Sequence, residues 1–255
     1  MKHKIVIIFF IFSLSSCSFD MMFLHPHKLN PDGIHKMVIL TPERIELQVT
    51  FYGENHTPSF TLNKAPYHLG CHIKSVLFES TSGNNLHGWL IEPENTESPE
   101  ADILFFHGNA GNLLSHFAIV YPLALKGFRV FLFDYSGFGF STGKAGRKNV
   151  FKDAESALSY FINIENKNDR PLLIYGQSLG GNLAACVAAK NQDKADAVVI
   201  EGAFSSHKDV AAHVSGLGFI ARMFVKEMYA SKKAVKKWTK PVLVIHSTED
   251  AVVPF

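Results

Sequence analysis

Gly176-Gln177-Ser178-Leu179-Gly180 lies between two contrasting stretches of sequence. Before it stands Leu172-Leu173-Ile174-Tyr175, a short apolar run that reads as a buried strand. After it, from Leu179 through Gly181, Asn182, Leu183 and Ala184 to Ala189, small and apolar residues recur at helical spacing. A Gly-x-Ser-x-Gly in that context makes a sharp strand-to-helix turn that lifts the serine oxygen above a sheet. Gly176 and Gly180 suit it because side chains there would collide in so tight a turn. The helix N-terminus behind the serine favours negative charge as it develops. The plainer reading is a chance match in a strand-helix loop, and correct flanks on both sides argue against it. Ser178 is the candidate nucleophile.

The surrounding pattern extends this reading. Short apolar runs at Asp102–Phe106, Val130–Phe133, Leu172–Tyr175, Ala197–Ile200 and Val242–Ile245 suit parallel strands covered on both faces. Helical segments fall between them, one with Phe151, Ala154, Leu158 and Phe161 on a single face. Pro122 is expected to kink or end the helix that starts near Leu113. Upstream, Ile45–Val49 alternates like a first strand, and Lys74–Phe78 and Leu86–Ile91 form a hairpin around Ser82-Gly83-Asn84-Asn85. Antiparallel strands followed by strand-helix units predict an α/β fold with a mostly parallel, doubly wound sheet. The 255 residues suffice for one such domain, read as 45–255, and the 47% apolar and 19% charged content indicates a packed core.

The N-terminus reads separately. Lys2 and Lys4 precede a ten-residue apolar core, Ile5 to Leu14, and Leu14-Ser15-Ser16-Cys17 resembles a bacterial lipobox. The apolar run is short for a bilayer span. Residues 1–16 are therefore expected to be a lipoprotein signal peptide, with Cys17 lipidated and 17–44 a linker. A signal anchor, or ordinary secretory cleavage, is the alternative. Ser18 in place of Asp points to the outer membrane of a Gram-negative bacterium, facing the periplasm. With Lys2 and Lys4 set aside, the remaining basic side chains balance the 23 acidic ones, so the composition gives no case for nucleic-acid binding. Cys71 and Cys186 make no disulfide framework.

Two further stretches carry chemistry. His107-Gly108-Asn109-Ala110-Gly111-Asn112 follows a strand and can aim a backbone N–H at a developing oxyanion. The N–H groups of Asn109 and Leu179 are assigned to that hole. No Gly-Lys-Ser/Thr follows, so a phosphate loop does not fit, and His107 reads as a turn residue. Asp250 follows the last strand, 72 residues after Ser178, where open α/β sheets place functional groups. It is the candidate orienting carboxylate, with Glu249 its rival. Residues 205–240 read as helices over the sheet edge, apolar at Val214–Val225 and basic at Lys232, Lys233, Lys236 and Lys237. They form a lid or acyl pocket, or more plainly a packed helix with a solvated face. His68, Cys71 and His72 lack a second ligand group, so no metal and no cofactor is expected.

Ser82 to Trp89, His107 to Asn112, Asp134-Tyr135-Ser136-Gly137-Phe138-Gly139, Gly176 to Gly181, Glu201 to Ser206 and His246 to Pro254 occur in an order that resembles the α/β-hydrolase superfamily, in its membrane-tethered esterase, acyl-hydrolase and serine-aminopeptidase-like branch. The resemblance implies a Ser-Asp-His triad with the histidine after one more strand and helix. None of the 13 histidines occupies that position, so the chain is read as incomplete before the final strand and helix. His246 is nearest Asp250 but belongs to the strand end, while His207 and His213 read as surface residues. The expectation is a serine hydrolase of esters or thioesters, with amides as a further option, acting on a small or lipid-like acyl substrate. The alternative is a non-catalytic lipoprotein that keeps the fold as a binding module.

Overall fold

The apolar runs of the middle of the chain pair into one seven-stranded sheet, seen in a computed structural model that describes residues 23–95, 98–164, 170–214, 225–250 and 253. Its strands are β6 (Cys71–Glu79), β7 (Asn85–Pro93), β8 (Asp102–Phe106), β10 (Arg129–Phe133), β11 (Leu172–Gln177), β12 (Ala197–Glu201) and β13 (Val242–Ile245). They lie in the order β13-β12-β11-β8-β10-β7-β6. The β6–β7 hairpin is antiparallel, and β7 pairs antiparallel with β10. From β10 to β13 every pairing is parallel. The expected α/β-hydrolase fold is present.

Continuous apolar strands bury both faces, and alternate residues feed two cores. Leu104, Phe106, Phe131 and Phe133 point to one core, with α2 (Arg147–Ile164) and α3 (Leu179–Lys190) packed over them. Ile103, Phe105, Val130 and Leu132 point to the other, beneath α1 (Leu113–Leu125). Pro122 does not stop α1 at once. It stands in the last turn, and the helix ends three residues later at Leu125.

The second core is closed by a sheet of which the sequence reading foresaw only the Ile45–Val49 stretch. Strands β2 (His35–Thr41), β3 (Glu43–Tyr52), β4 (Thr57–Leu62) and β5 (Ala65–Pro66) form a separate antiparallel sheet. Met37, Ile39, Leu47 and Val49 point from it into the core under α1. The expected linker at 17–44 is thus corrected over residues 23–44. Phe23 and Leu24 are buried, and β1 (His25–Pro26) pairs with β9 (Ala110–Gly111). Residues 1–22, which hold the expected signal peptide and Cys17, lie outside the described residues. Among the described residues no helix is long and apolar enough to cross a membrane.

β13 departs from its expected burial. It pairs only with β12 among the described residues, and Val242, Leu243, Val244 and Ile245 are all exposed. His207 departs in the opposite direction. It opens α4 (His207–Val214) but is fully buried, with its Nδ1 2.9 Å from Glu227 Oε1. Phe23, Phe204 and Tyr229 pack around its ring. His213 lies where side chains are outside the described residues.

Candidate active site

Strand β11 turns into α3 at Ser178, whose φ of 54° and ψ of −118° are unfavourable for a residue with a Cβ. The glycines explain why the chain can turn there. A Cβ on Gly176 would come 2.0 Å from the Gly180 carbonyl oxygen. A Cβ on Gly180 would come 1.9 Å from the carbonyl oxygen of Phe106, at the end of β8. Both approaches are to backbone, which cannot swing aside. Ser178 donates its own N–H to the Glu201 carbonyl at 2.8 Å, which ties the turn to β12.

The turn after β8 lies against this one. A Cβ placed on Gly108 would be 3.8 Å from Ser178 Cβ, so Asn109 follows directly on a residue touching the nucleophile. The Asn109 carbonyl is held by the His25 N–H at 2.7 Å. Leu179 is the first residue of α3, where N–H groups have no partner within the helix. The structure therefore brings Asn109, Ser178 and Leu179 together at the C-terminal edge of the sheet.

His107 braces the turn from inside. It is fully buried, with Nδ1 2.8 Å from the Gly108 carbonyl oxygen and Nε2 3.5 Å from Asp134 Oδ1. Tyr135 donates its hydroxyl to the His107 carbonyl at 3.0 Å. Asp134 Oδ1 also accepts the Leu113 N–H at 2.8 Å, and burial raises the Asp134 pKa against the pull of His107.

His116 is the residue the sequence reading missed. It stands in the first turn of α1, and its Cε1 is 3.3 Å from where a Gly108 Cβ would be. Its Nε2 lies 3.0 Å from the Ala110 carbonyl oxygen, and its ring stacks on His107 at 5.0 Å. Gln177 also hydrogen-bonds it, and burial pushes its pKa down to about 4, so it is neutral at pH 7. Gln177 in turn donates to Glu201 Oε1 at 3.2 Å, and Tyr175 donates its hydroxyl to the other oxygen of that carboxylate. One chain of contacts thus spans the Gly108 turn, the serine turn and the end of β12. Sequence signals exist for Gln177 and Glu201, which sit within recognised motifs. None exists for His116, because only the packing of α1 carries it over Gly108.

Asp250 lies beside the β12 end of this cluster. Its Oδ1 accepts the Val253 N–H at 2.9 Å, and its Oδ2 is 3.9 Å from where a Gly202 Cβ would stand. Gly202 closes β12, so the carboxylate borders the end of that strand. Its own strand, β13, is two positions from β11, a separation of roughly 10 Å at ordinary strand spacing. Glu249 is exposed, whereas Asp250 is partly buried. His246 closes the same loop, its Nε2 2.8 Å from the Val253 carbonyl oxygen.

The fold and this edge define a class. A sequence model of the alpha/beta hydrolase fold matches residues 103–220. The protein YfhR of Salmonella typhi is 32% identical over 229 residues, covering 83% of this chain and 73% of that protein. Protein bem46 of Schizosaccharomyces pombe is 36% identical over 165 residues, covering 62% and 55% respectively. The chain belongs to the α/β-hydrolase family. Among solved structures, the Pyrococcus furiosus esterase Pf2001 superposes with a TM-score of 0.61 at 17% identity, over 91% of this chain and 79% of that one. At that identity the likeness concerns the fold.

Proposed function

We propose that this chain is a serine hydrolase of carboxylic esters or thioesters, with Ser178 as nucleophile. The observation that carries the reading is the backbone of Ser178, held at an unfavourable φ and ψ by glycine contacts that only this turn requires. Strain of that kind costs of order 1–3 kcal/mol and persists where the surroundings over-determine it.

In this reading Ser178 Oγ attacks the acyl carbonyl while a base takes its proton. The N–H groups of Asn109 and Leu179 receive the negative oxygen of the tetrahedral intermediate. The alcohol or thiol leaves with the proton, and water then attacks the acyl-serine by the same route. Asp250 orients the base, an imidazole between it and Ser178. Four histidines near this edge are otherwise engaged, His107 on Gly108, His116 on Ala110, His207 on Glu227 and His246 on Val253, whereas His25 holds Asn109 by its backbone and keeps an exposed side chain. The second reading is a hydrolase fold kept for binding.

Free imidazole separates the two. Under the first reading it supplies the base, so p-nitrophenyl acetate turnover and fluorophosphonate labelling rise with imidazole in the parent and stay at background in Ser178→Ala. Equal rates in parent and variant at every imidazole concentration would leave only the binding role. The proposed substrate is a small or lipid-like acyl compound.

The N-terminus carries a separate proposal: Cys17 is lipidated after removal of residues 1–16 and tethers the protein to the outer membrane on its periplasmic side. The basic, apolar and small-residue order of Lys2 to Cys17 supports it. Expressed in a Gram-negative host, the parent incorporates labelled fatty acid and Cys17→Ser does not.

A further inference from the structure

The chain as a whole is nearly balanced in charge, yet one flank is not. Five exposed lysines, Lys208, Lys232, Lys233, Lys236 and Lys237, line two adjoining grooves of about 440 Å³ each. Lys232 and Lys233 belong to α5 (Ser231–Val235), and the grooves share Glu227, Ala230 and Lys233. None of the five is paired with a carboxylate among the described residues, unlike Lys190 on Glu155 or Lys240 on Asp196. The two acids in the grooves are engaged elsewhere. Glu227 Oε1 is bound by His207, and Asp209 Oδ2 accepts the hydroxyls of Ser205 and Ser206 at 2.8 Å each. Five lysines thus outnumber two carboxylates on one ridge, and the net positive charge favours a polyanionic surface.

The path of the chain indicates which surface. Phe23, the first described residue, packs its ring 5.0 Å from that of His207 and under the Arg147 guanidinium at 5.3 Å. His207 is the partner of Glu227, so the chain enters the fold one residue away from the lysine grooves. From there β1 crosses the sheet edge beside Asn109. A tether leading to Phe23 therefore brings the Lys208 end of the ridge close to the membrane that holds it.

We propose that this ridge docks on a bilayer surface containing anionic phospholipid. The proposal rests on the membrane tether above. Its test removes acylation, so failure of the tether and failure of the ridge are read separately.

The full chain carrying Cys17→Ser is mixed with vesicles of phosphatidylcholine alone, or with about one quarter phosphatidylglycerol, and bound protein is measured by flotation at low and high salt. The anionic vesicles bind more protein, and high salt removes the difference. At about fivefold per lysine, the triple variant Lys232→Gln, Lys233→Gln, Lys236→Gln loses roughly a hundredfold of the anionic preference. The exposed pair Lys64→Gln, Lys74→Gln, which lies outside the ridge, keeps it. Equal preference in the triple variant and the parent would overturn the proposal. So would a parent that ignores phosphatidylglycerol but binds single-stranded DNA or polyphosphate through the same lysines. Circular dichroism of the triple variant verifies that the fold is intact, as expected for exposed side chains.

Discussion

The serine side of the sheet edge and the aspartate side are built to different standards. Around Ser178, backbone groups are fixed from three directions: by Glu201 on β12, by Phe106 on β8, and by the bracing of the 107–111 turn through His107, Tyr135, His116 and His25. Around Asp250 the described contacts include those with Ser247 and Val253 and the approach to Gly202, on a strand whose four side chains are exposed. Preorganisation matters most where charge develops, because donors that must reorganise lose much of their advantage. A carboxylate that only orients a base tolerates more freedom. The contrast teaches that stability and chemistry are coupled at the serine turn and nearly independent at the aspartate loop.

The largest expected effect attacks the serine side directly. Gly180→Ala puts a methyl 1.9 Å from the Phe106 carbonyl oxygen, a contact no rotamer change can relieve. The turn must open or β8 must shift, at a cost of about 3 kcal/mol or more, above the usual range for overpacking. Urea unfolding measures it. The mirror experiment, Asp250→Asn, keeps an oxygen that accepts the Val253 N–H and is expected to cost about 1 kcal/mol or less. If both variants lose the same stability, the contrast fails.

Acid provides the next test, at a residue outside both loops. His87 is fully buried between the two sheets, its Nε2 2.8 Å from Ser75 Oγ, and burial pushes its pKa down to about 3. An unfolded histidine titrates near 6.5, so below that pH the unfolded state binds the extra proton first. The folded state is fully stable above 6.5 and loses about 1.4 kcal/mol per pH unit as pH falls toward the folded value. His87→Leu removes the titrating group while Ser75 keeps its donation to Asn55. Its unfolding free energy is expected to fall less steeply between pH 6.5 and 4.5 than the parent's. Parallel slopes would place the acid-sensitive group elsewhere.

What could be read from the sequence follows the same division. The serine turn and the Gly108 turn were legible because their geometry demands glycine at fixed offsets, and the central strands because both faces are apolar. Of the four-stranded N-terminal sheet only the Ile45–Val49 part of β3 was. In His35–Thr41 the inward residues Met37 and Ile39 alternate with Val38 and Leu40, so the period-two signal is masked by apolar residues on the outer face. His207 misled because its partner, Glu227, stands twenty residues away. His116 was silent because its neighbours are set by how α1 packs, which no local pattern encodes.

The smallest effect bears on the chemistry of the strained residue itself. His116 ties the Gly108 turn to the serine turn without touching the reacting atoms, which makes it a positioning residue. His116→Ala removes the bond to Ala110 and the contact with Gln177, about 1 kcal/mol for a hydrogen bond of this kind. If that bond acts by holding the Asn109 N–H, kcat falls by about tenfold or less and KM is unchanged, since the loss appears only when the oxyanion forms. Ser178→Gly is the companion variant, because glycine accepts the φ of 54° freely. It is expected to gain about 1 kcal/mol of stability, the low end of the strain it releases, while losing labelling altogether. A gain in Ser178→Gly with no kcat change in His116→Ala would mean that the strain belongs to the serine turn alone. A loss of stability in Ser178→Gly would show that the serine side is relaxed, and would remove the observation on which the nucleophile assignment rests.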